Sequence, residues 1–281
     1  MTTEIISDVA FYDPNNLIPY AEKDEAIIRG VTKGLLDWSN PECYTGGAVS
    51  NGTIFTSLTS DESMAEAKNS FDAPTDGMLK INPTVSGPKI DLPSTFLLPA
   101  ECNRFLAIIW LKSVKSGHAG GASNSQLVLI GALTNTSTTA QWGIGFQVFS
   151  GSVSHFRGWV PASDSSAVDV TTTDGGVIDH VFDEALHQIA LEWAADADAG
   201  TYRARLYADR VVVAEKTGTY SGSILVPSLT PAIGRPSGNF NATYADGVHV
   251  GRPSLWDLTG TDLTTDEIME ADWDAAQGYL A

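Results

Sequence analysis

Basic residues are scarce in this chain. Sixteen lysines and arginines stand against 34 aspartates and glutamates across 281 residues, a net charge of −18. Affinity for nucleic acid comes from Lys and Arg neutralising phosphates, so such a surface excludes DNA and RNA as partners. Cysteine is scarcer still. Cys43 and Cys102 are the only two, too few for a disulfide framework or a metal knuckle, and they form either one bridge or two separate thiols. No apolar run approaches the roughly 18 residues that span a bilayer, which argues against membrane insertion. The start, Met1-Thr2-Thr3-Glu4-Ile5-Ile6-Ser7-Asp8, lacks the basic and apolar regions of a secretory leader. The expectation is a protein made in the cytoplasm and released or assembled from there.

Catalytic signatures are missing as well. No Gly-x-Ser-x-Gly elbow occurs, and neither cysteine has a histidine nearby in sequence. The five histidines (His118, His155, His180, His187, His249) fall at no metal-ligand spacing and read as structural or exposed. The expectation is a protein that is not an enzyme.

What the chain does have is period-two patterning. In Leu186 to Trp193, residues His187, Ile189, Leu191 and Trp193 share one face of a strand. In Tyr202 to Asp209, Ala204 and Leu206 point one way and Arg203 and Arg205 the other. Joined by Asp196-Ala197-Asp198-Ala199-Gly200, these runs predict an antiparallel hairpin with one dry and one wet face. Similar short runs recur at 53–58, 78–81, 105–114, 126–133, 142–149, 156–160, 211–216, 232–235 and 248–256. Many short strands without helical patterns between them predict an all-β antiparallel sandwich. Pro253 places its strand at an edge or beside a bulge. Near the end, Thr264 with Glu267 forms a capping box, flanked by Leu263 and Ile268. Met269, Trp273, Ala276 and Leu280 then recur at helical spacing, predicting a short C-terminal helix packed on the sandwich.

Residues 1–45 differ in composition from 46–281. They read as an N-terminal arm or docking segment, or alternatively as the first strands of the sandwich.

The order of these segments resembles the concanavalin A-like, laminin G-like jelly-roll superfamily from about residue 76 onward. Gly77 to Ile81, Ile90 to Pro93, Phe105 to Lys112, Trp142-Gly143-Ile144-Gly145-Phe146, His187 to Trp193, Leu206 to Asp209, Ala232 to Arg235 and Leu258 to Ile268 carry the likeness. One departure is Arg210, which stands where the family often has Gly after Asp, and argues against a type I′ turn. Glycosidases of this superfamily carry Glu-x-Asp-x-x-Glu on one strand. The nearest string here, Glu270-Ala271-Asp272-Trp273-Asp274-Ala275, ends in Ala and lies on the terminal helix.

Two binding sites remain open on this reading. Asp196 and Asp198 offer hard oxygen ligands for Ca²⁺ at a loop rim, or else form a solvated hairpin tip. Parity places Gln147 and Phe149 on one strand face, and His155, Arg157 and Trp159 on a face of the next strand. These five are either a carbohydrate-binding surface or ordinary packing. Because phages often display this jelly roll, the resemblance implies a virion structural protein: a tail, baseplate, fibre or capsid-decorating subunit. Such a subunit would dock on other virion proteins through residues 1–45, assemble as a homo-oligomer and grip host glycan. The alternatives are a carbohydrate-binding module of a cellular protein and, less favoured, a glycan-cleaving enzyme.

Overall fold

The computed structural model describes residues 24–280 apart from 25, 60–62, 82–88, 119–124, 134–139, 164–165, 223, 225–229 and 235–243; the side chains of 277–280 are likewise outside the description. In chain order the strands are β1 (Thr32–Leu35), β2 (Ile54–Thr56), β3 (Met64–Ala67), β4 (Met78–Lys80), β5 (Lys89–Asp91), β6 (Arg104–Val114), β7 (Ser125–Leu133), β8 (Ala140–Phe149), β9 (Ser152–Ser163) and β10 (Ser166–Thr172). The short helix α1 (Gly175–Val181) precedes β11 (Asp183–Asp196), β12 (Thr201–Ala208), β13 (Val211–Thr219), β14 (Ala232–Gly234) and β15 (His249–Asp257), and helix α2 (Thr265–Leu280) closes the chain.

Among the described residues these strands form two sheets. The first runs β1-β15-β6-β11-β12-β13, with β4 also paired to β15; the second runs β10-β9-β8-β7-β14-β5-β3-β2. Neighbouring strands in both sheets are antiparallel. This is the antiparallel β-sandwich with a C-terminal helix that the alternating pattern predicts. Its core is the facing inner layers. Phe105, Ile109, Leu191 and Trp193 of one sheet belong to one continuous cluster with Trp142, Ile144, Phe146 and Phe156 of the other. Each such side chain stabilises the fold by about 1.5–3 kcal/mol. Gly158 is where the sheets come close, because a Cβ there would lie 2.5 Å from the Leu191 side chain.

The predicted hairpin is present, with Leu191 opposite Leu206 and Trp193 opposite Ala204. Its outer face is only half wet. Arg203 is exposed, but Gln188, Ala190 and Glu192 of β11 are buried. Helix α2 covers them: Ala190 packs with Ile268 and Met269, and the Gln188 side-chain amide donates to the Met269 carbonyl. The capping box holds the start of α2, with the Thr264 N–H and hydroxyl donating to Glu267 and the Glu267 N–H donating back to the Thr264 hydroxyl. Leu280, expected to continue the apolar stripe, lies outside the described side chains.

The turn after β12 is a second correction. Asp209 and Arg210 both adopt positive φ, 50° and 67°, as a type I′ turn requires. Arg210 tolerates that conformation with its guanidinium 5.6 Å above the Trp273 ring and 3.7 Å from Glu270. In the N-terminal segment Thr32–Leu35 pairs with β15, which puts this stretch in the sheet, and residues 1–23 lie outside the described part.

Pro253 falls at a register shift of β15 between Gly251 and Ser254, a bulge inside a central strand. The bulge gives Arg252 a φ of 43° and turns its side chain into a site with no solvent exposure. There the guanidinium donates through Nε to Asp272 at 2.9 Å, through Nη1 to Asp24 at 2.6 Å and Asp37 at 2.8 Å, and through Nη2 to Asp24 at 2.6 Å. Asp272 also accepts from the Trp110 indole at 2.9 Å and from Gln188 at 2.8 Å. Burial pushes the Asp272 carboxyl up, against the pull of Arg252 and those donors. Burial acts to lower the Arg252 guanidinium, but the carboxylates outweigh it and hold the group above its ordinary value. One arginine thus ties the N-terminal segment, the central strand and the terminal helix together.

Cys43 and Cys102 are buried and unbonded. No helix among the described residues is long and apolar enough to cross a membrane.

Candidate functional site

Strand register decides which side chains meet on the outer face of the second sheet. Gln147 stands opposite His155, Gly145 opposite Arg157 and Gly143 opposite Trp159. On the other side of β9, Trp159 stands opposite Asp169 and Arg157 opposite Thr171. Gln126 of β7 faces Gln147, and Phe149 follows Gln147 on the same face by alternation. The five residues singled out from sequence parity therefore do share one surface.

They divide into a sealed half and an open half. Trp159 is fully buried, packed with Val128, Leu133, Ala140 and Ala167. Glycine at 143 and 145 makes this possible. A Cβ at Gly145 would lie 3.0 Å from the Trp159 ring and 2.2 Å from the Leu127 carbonyl, and one at Gly143 would lie 2.9 Å from Leu133. Without those two side chains the indole lies down on the sheet. Trp159 is thus packing, and presents no ring face to solvent. Phe149 is the exposed aromatic, at 50%.

The open half is polar. Arg157 Nη1 is 3.2 Å from an Asp169 carboxylate oxygen. Burial lowers the Arg157 guanidinium from its ordinary value, against the pull of Asp169. His155 Nδ1 is 2.9 Å from the Ser154 hydroxyl, and burial, then the Arg157 charge, holds its pKa down. Three buried polar atoms on this face have no hydrogen-bond partner among the described residues: Gln147 Oε1, Arg157 Nε and Trp159 Nε1. Such atoms are costly unless something bonds them, and they are spread along the strands, since Arg157 stands opposite Gly145 and Trp159 opposite Gly143, two and four residues along β8 from Gln147. Phe149 lies two residues beyond Gln147, so this side of the sheet offers the half-buried polar groups of Arg157, His155 and Asp169 together with one exposed aromatic ring.

The other sequence candidates fare differently. Asp196 accepts from the Ala199 N–H at 2.9 Å and so closes the hairpin tip, while Asp198 is exposed. Neither belongs to a convergent group of three or more ligand atoms among the described residues. Such a group exists elsewhere. His180, His187 and Asp209 bring their ligand atoms within 4.8 Å of one another. Sequence spacing hid it, because α1 carries His180 back over the start of β11 and the β12 turn supplies Asp209. A cavity of about 540 Å³ lies at the far end of the hairpin, lined in part by Ala195, Asp196, Tyr202, Arg203 and Gly218.

No protein-family model matches the sequence, and no curated protein matches it. Solved structures do match by shape. The binding domain of Paraclostridial Mosquitocidal Protein 1 aligns with a TM-score of 0.52 at 10% identity, over 84% of this chain and 51% of that one. Trypanosoma rangeli sialidase in complex with 2,3-difluorosialic acid aligns at 0.46 and 15% identity, over 88% and 33%. The botulinum neurotoxin DC binding domain in complex with SialylT aligns at 0.43 and 9%, over 92% and 53%. The chain spans about half the length, or less, of these structures. At such identities the likeness is one of fold alone, and the fold is an antiparallel β-sandwich of two sheets with a C-terminal helix.

Proposed function

We propose that this chain is a non-catalytic recognition module that binds a glycan through the outer face of β8, β9 and β10. The observation that carries the reading is a half-buried polar group, Arg157 paired with Asp169 and flanked by His155, on the same sheet face as the exposed ring of Phe149. Sugar hydroxyls both donate and accept, so a glycan lying along this face can bond the half-exposed polar groups while an apolar ring face stacks on Phe149. His155 and Asp169 form the polar rim. The matched part of the Paraclostridial protein is itself a binding domain, and the sandwich shared with it supports recognition over catalysis.

This favours the carbohydrate-binding reading over the virion reading, which draws on the sequence resemblance alone. If the chain is displayed on a particle, residues 32–35 are not the anchor, since they are committed to the sheet. A homo-oligomer, other virion proteins as partners and a cytoplasmic origin belong to that reading and stand with it.

A glycan array probed with the full chain tests the site. We expect a defined set of glycans to bind, with affinity reduced at least about tenfold in Phe149→Ala and in Arg157→Ala, each worth one lost stacking or charge-assisted contact. Binding of no glycan, or binding unchanged in both variants, overturns the proposal.

A further inference from the structure

Two imidazoles meet at a single carboxylate oxygen. His187 Nδ1 lies 2.7 Å from Asp209 Oδ2, and His180 Nε2 lies 2.9 Å from the same atom. The two rings are edge to face with centroids 4.5 Å apart. A hydrogen-bonded pair needs one histidine; a second aimed at the same oxygen is the arrangement that surrounds a cation.

The groups behind these three are placed as a metal centre requires. His187 Nε2 is 2.9 Å from Asp183 Oδ1, so the nitrogen turned away from Asp209 is held by a second carboxylate. That contact fixes the ring and leaves Nδ1 as the ligand atom, the carboxylate–histidine–metal relay found around zinc. Asp209 is anchored in turn, since its Oδ1 accepts from the Gln188 N–H at 3.0 Å and its backbone is set by the positive-φ turn. Exposure is graded. The His187 side chain is 4% exposed, Asp209 23% and His180 54%. The inner ligands are rigid and the outer one is free to adjust, which leaves an open position toward solvent.

We propose that His180 Nε2, His187 Nδ1 and Asp209 Oδ2 form a three-ligand site for a divalent transition metal of the zinc type, with Asp183 as the positioning partner of His187. Two imidazoles and one carboxylate suit such an ion better than Ca²⁺, which takes six to eight oxygens. Zinc–ligand distances of about 2.0–2.1 Å in a tetrahedron separate ligand atoms by about 3.3 Å. The two histidine nitrogens, at 2.7 and 2.9 Å from Asp209 Oδ2, therefore each need to part from it by about half an ångström, and they lie within 4.8 Å of each other. Binding displaces the protons now shared between the rings and Asp209 and so releases them to solvent. The bound ion would lock α1 to β11 and to the β12 turn, an end of the sandwich remote in sequence from the glycan face.

Calorimetric titration of the full chain with Zn²⁺, paired with visible absorption on Co²⁺ addition, tests the assignment. Expected are one equivalent bound and the intense absorption of four-coordinate cobalt. Affinity should fall about 10- to 100-fold in Asp183→Asn, as loss of an outer-shell partner does, and further in His180→Ala. His180 is exposed enough that its variant should keep the melting temperature of the metal-free protein. Uptake without saturation at one equivalent overturns the site, because that is scattered binding to the acidic surface. So does saturable binding that is unchanged in both variants.

Discussion

Two arginines on opposite sides of the molecule show how differently one side chain can be used. Arg252 has no exposure, and each of its three guanidinium nitrogens donates to a carboxylate. Arg157 sits on the outer face of the other sheet with one carboxylate partner among the described residues, Asp169, and an Nε that meets none of them. The first is saturated and joins three segments far apart in sequence. The second is held in place by Asp169. The contrast is one of solvent: Arg252 is sealed among carboxylates, and Arg157 lies on a half-buried face beside a partly exposed Asp169.

Replacing each arginine puts that contrast to the test. Arg252→Ala leaves Asp24, Asp37 and Asp272 buried without their cation, which costs about 3–5 kcal/mol. Urea denaturation should show the midpoint falling accordingly, with the slope unchanged; a loss below about 1 kcal/mol would mean the cluster is not what joins the chain ends. Arg157→Ala should be mild for stability, about 1 kcal/mol or less, because Asp169 can turn to water. Its effect should appear in glycan binding instead. A large loss of stability with binding intact would erase the distinction between the two arginines.

The smallest expected effect concerns how Asp272 is delivered to Arg252. Glu267 at the start of α2 is held below the usual carboxylate range by the Thr264 N–H and then by the Thr264 hydroxyl. A depressed pKa contributes stability above the unfolded value of 4.5 and loses it as pH falls through the lower folded value. Helix content followed by circular dichroism between pH 6 and 3 should therefore fall in the wild type, with a smaller change in Glu267→Gln. Identical profiles would show that the cap does not set the helix start.

Alternation made much of the sandwich legible. His187 to Trp193 and Ala204 to Leu206 announced the central hairpin, and parity grouped Gln147 with Phe149 on one strand and His155, Arg157 and Trp159 on the next, which the register then brings to one side of the sheet. What parity could not supply was depth. The indole of Trp159 disappears because the strand across from it has glycine at 143 and 145, a relation between strands that no single strand reveals. Strands β1, β3 and β5 are three or four residues long, too short for a period to emerge. The hidden β10 did carry one, in Val168 and Val170, masked by the serine-rich run before it. Helix α1 opens on Asp174-Gly175-Gly176, which reads as a turn; Asp174 in fact caps it by accepting from the Gly176 and Val177 N–H groups. Arg252 gave no signal beyond its neighbour Pro253, which did announce the bulge. The histidine–aspartate convergence was invisible for a related reason: its ligands come from three elements and no spacing links them.

The two sequestered thiols have a practical consequence. Burial pushes both Cys43 and Cys102 up to about 12, and only the thiolate attacks an alkylating reagent. Neither sulfur should react at neutral pH until its surroundings open. Cys43 accepts from the Asp37 N–H at 3.3 Å, beside the carboxylate that Arg252 grips. Cys102 donates to the Arg104 carbonyl at 3.4 Å, where β6 begins. Each cysteine is thus a native clock, one timing the release of the N-terminal segment and the other the fraying of the sheet's central strand.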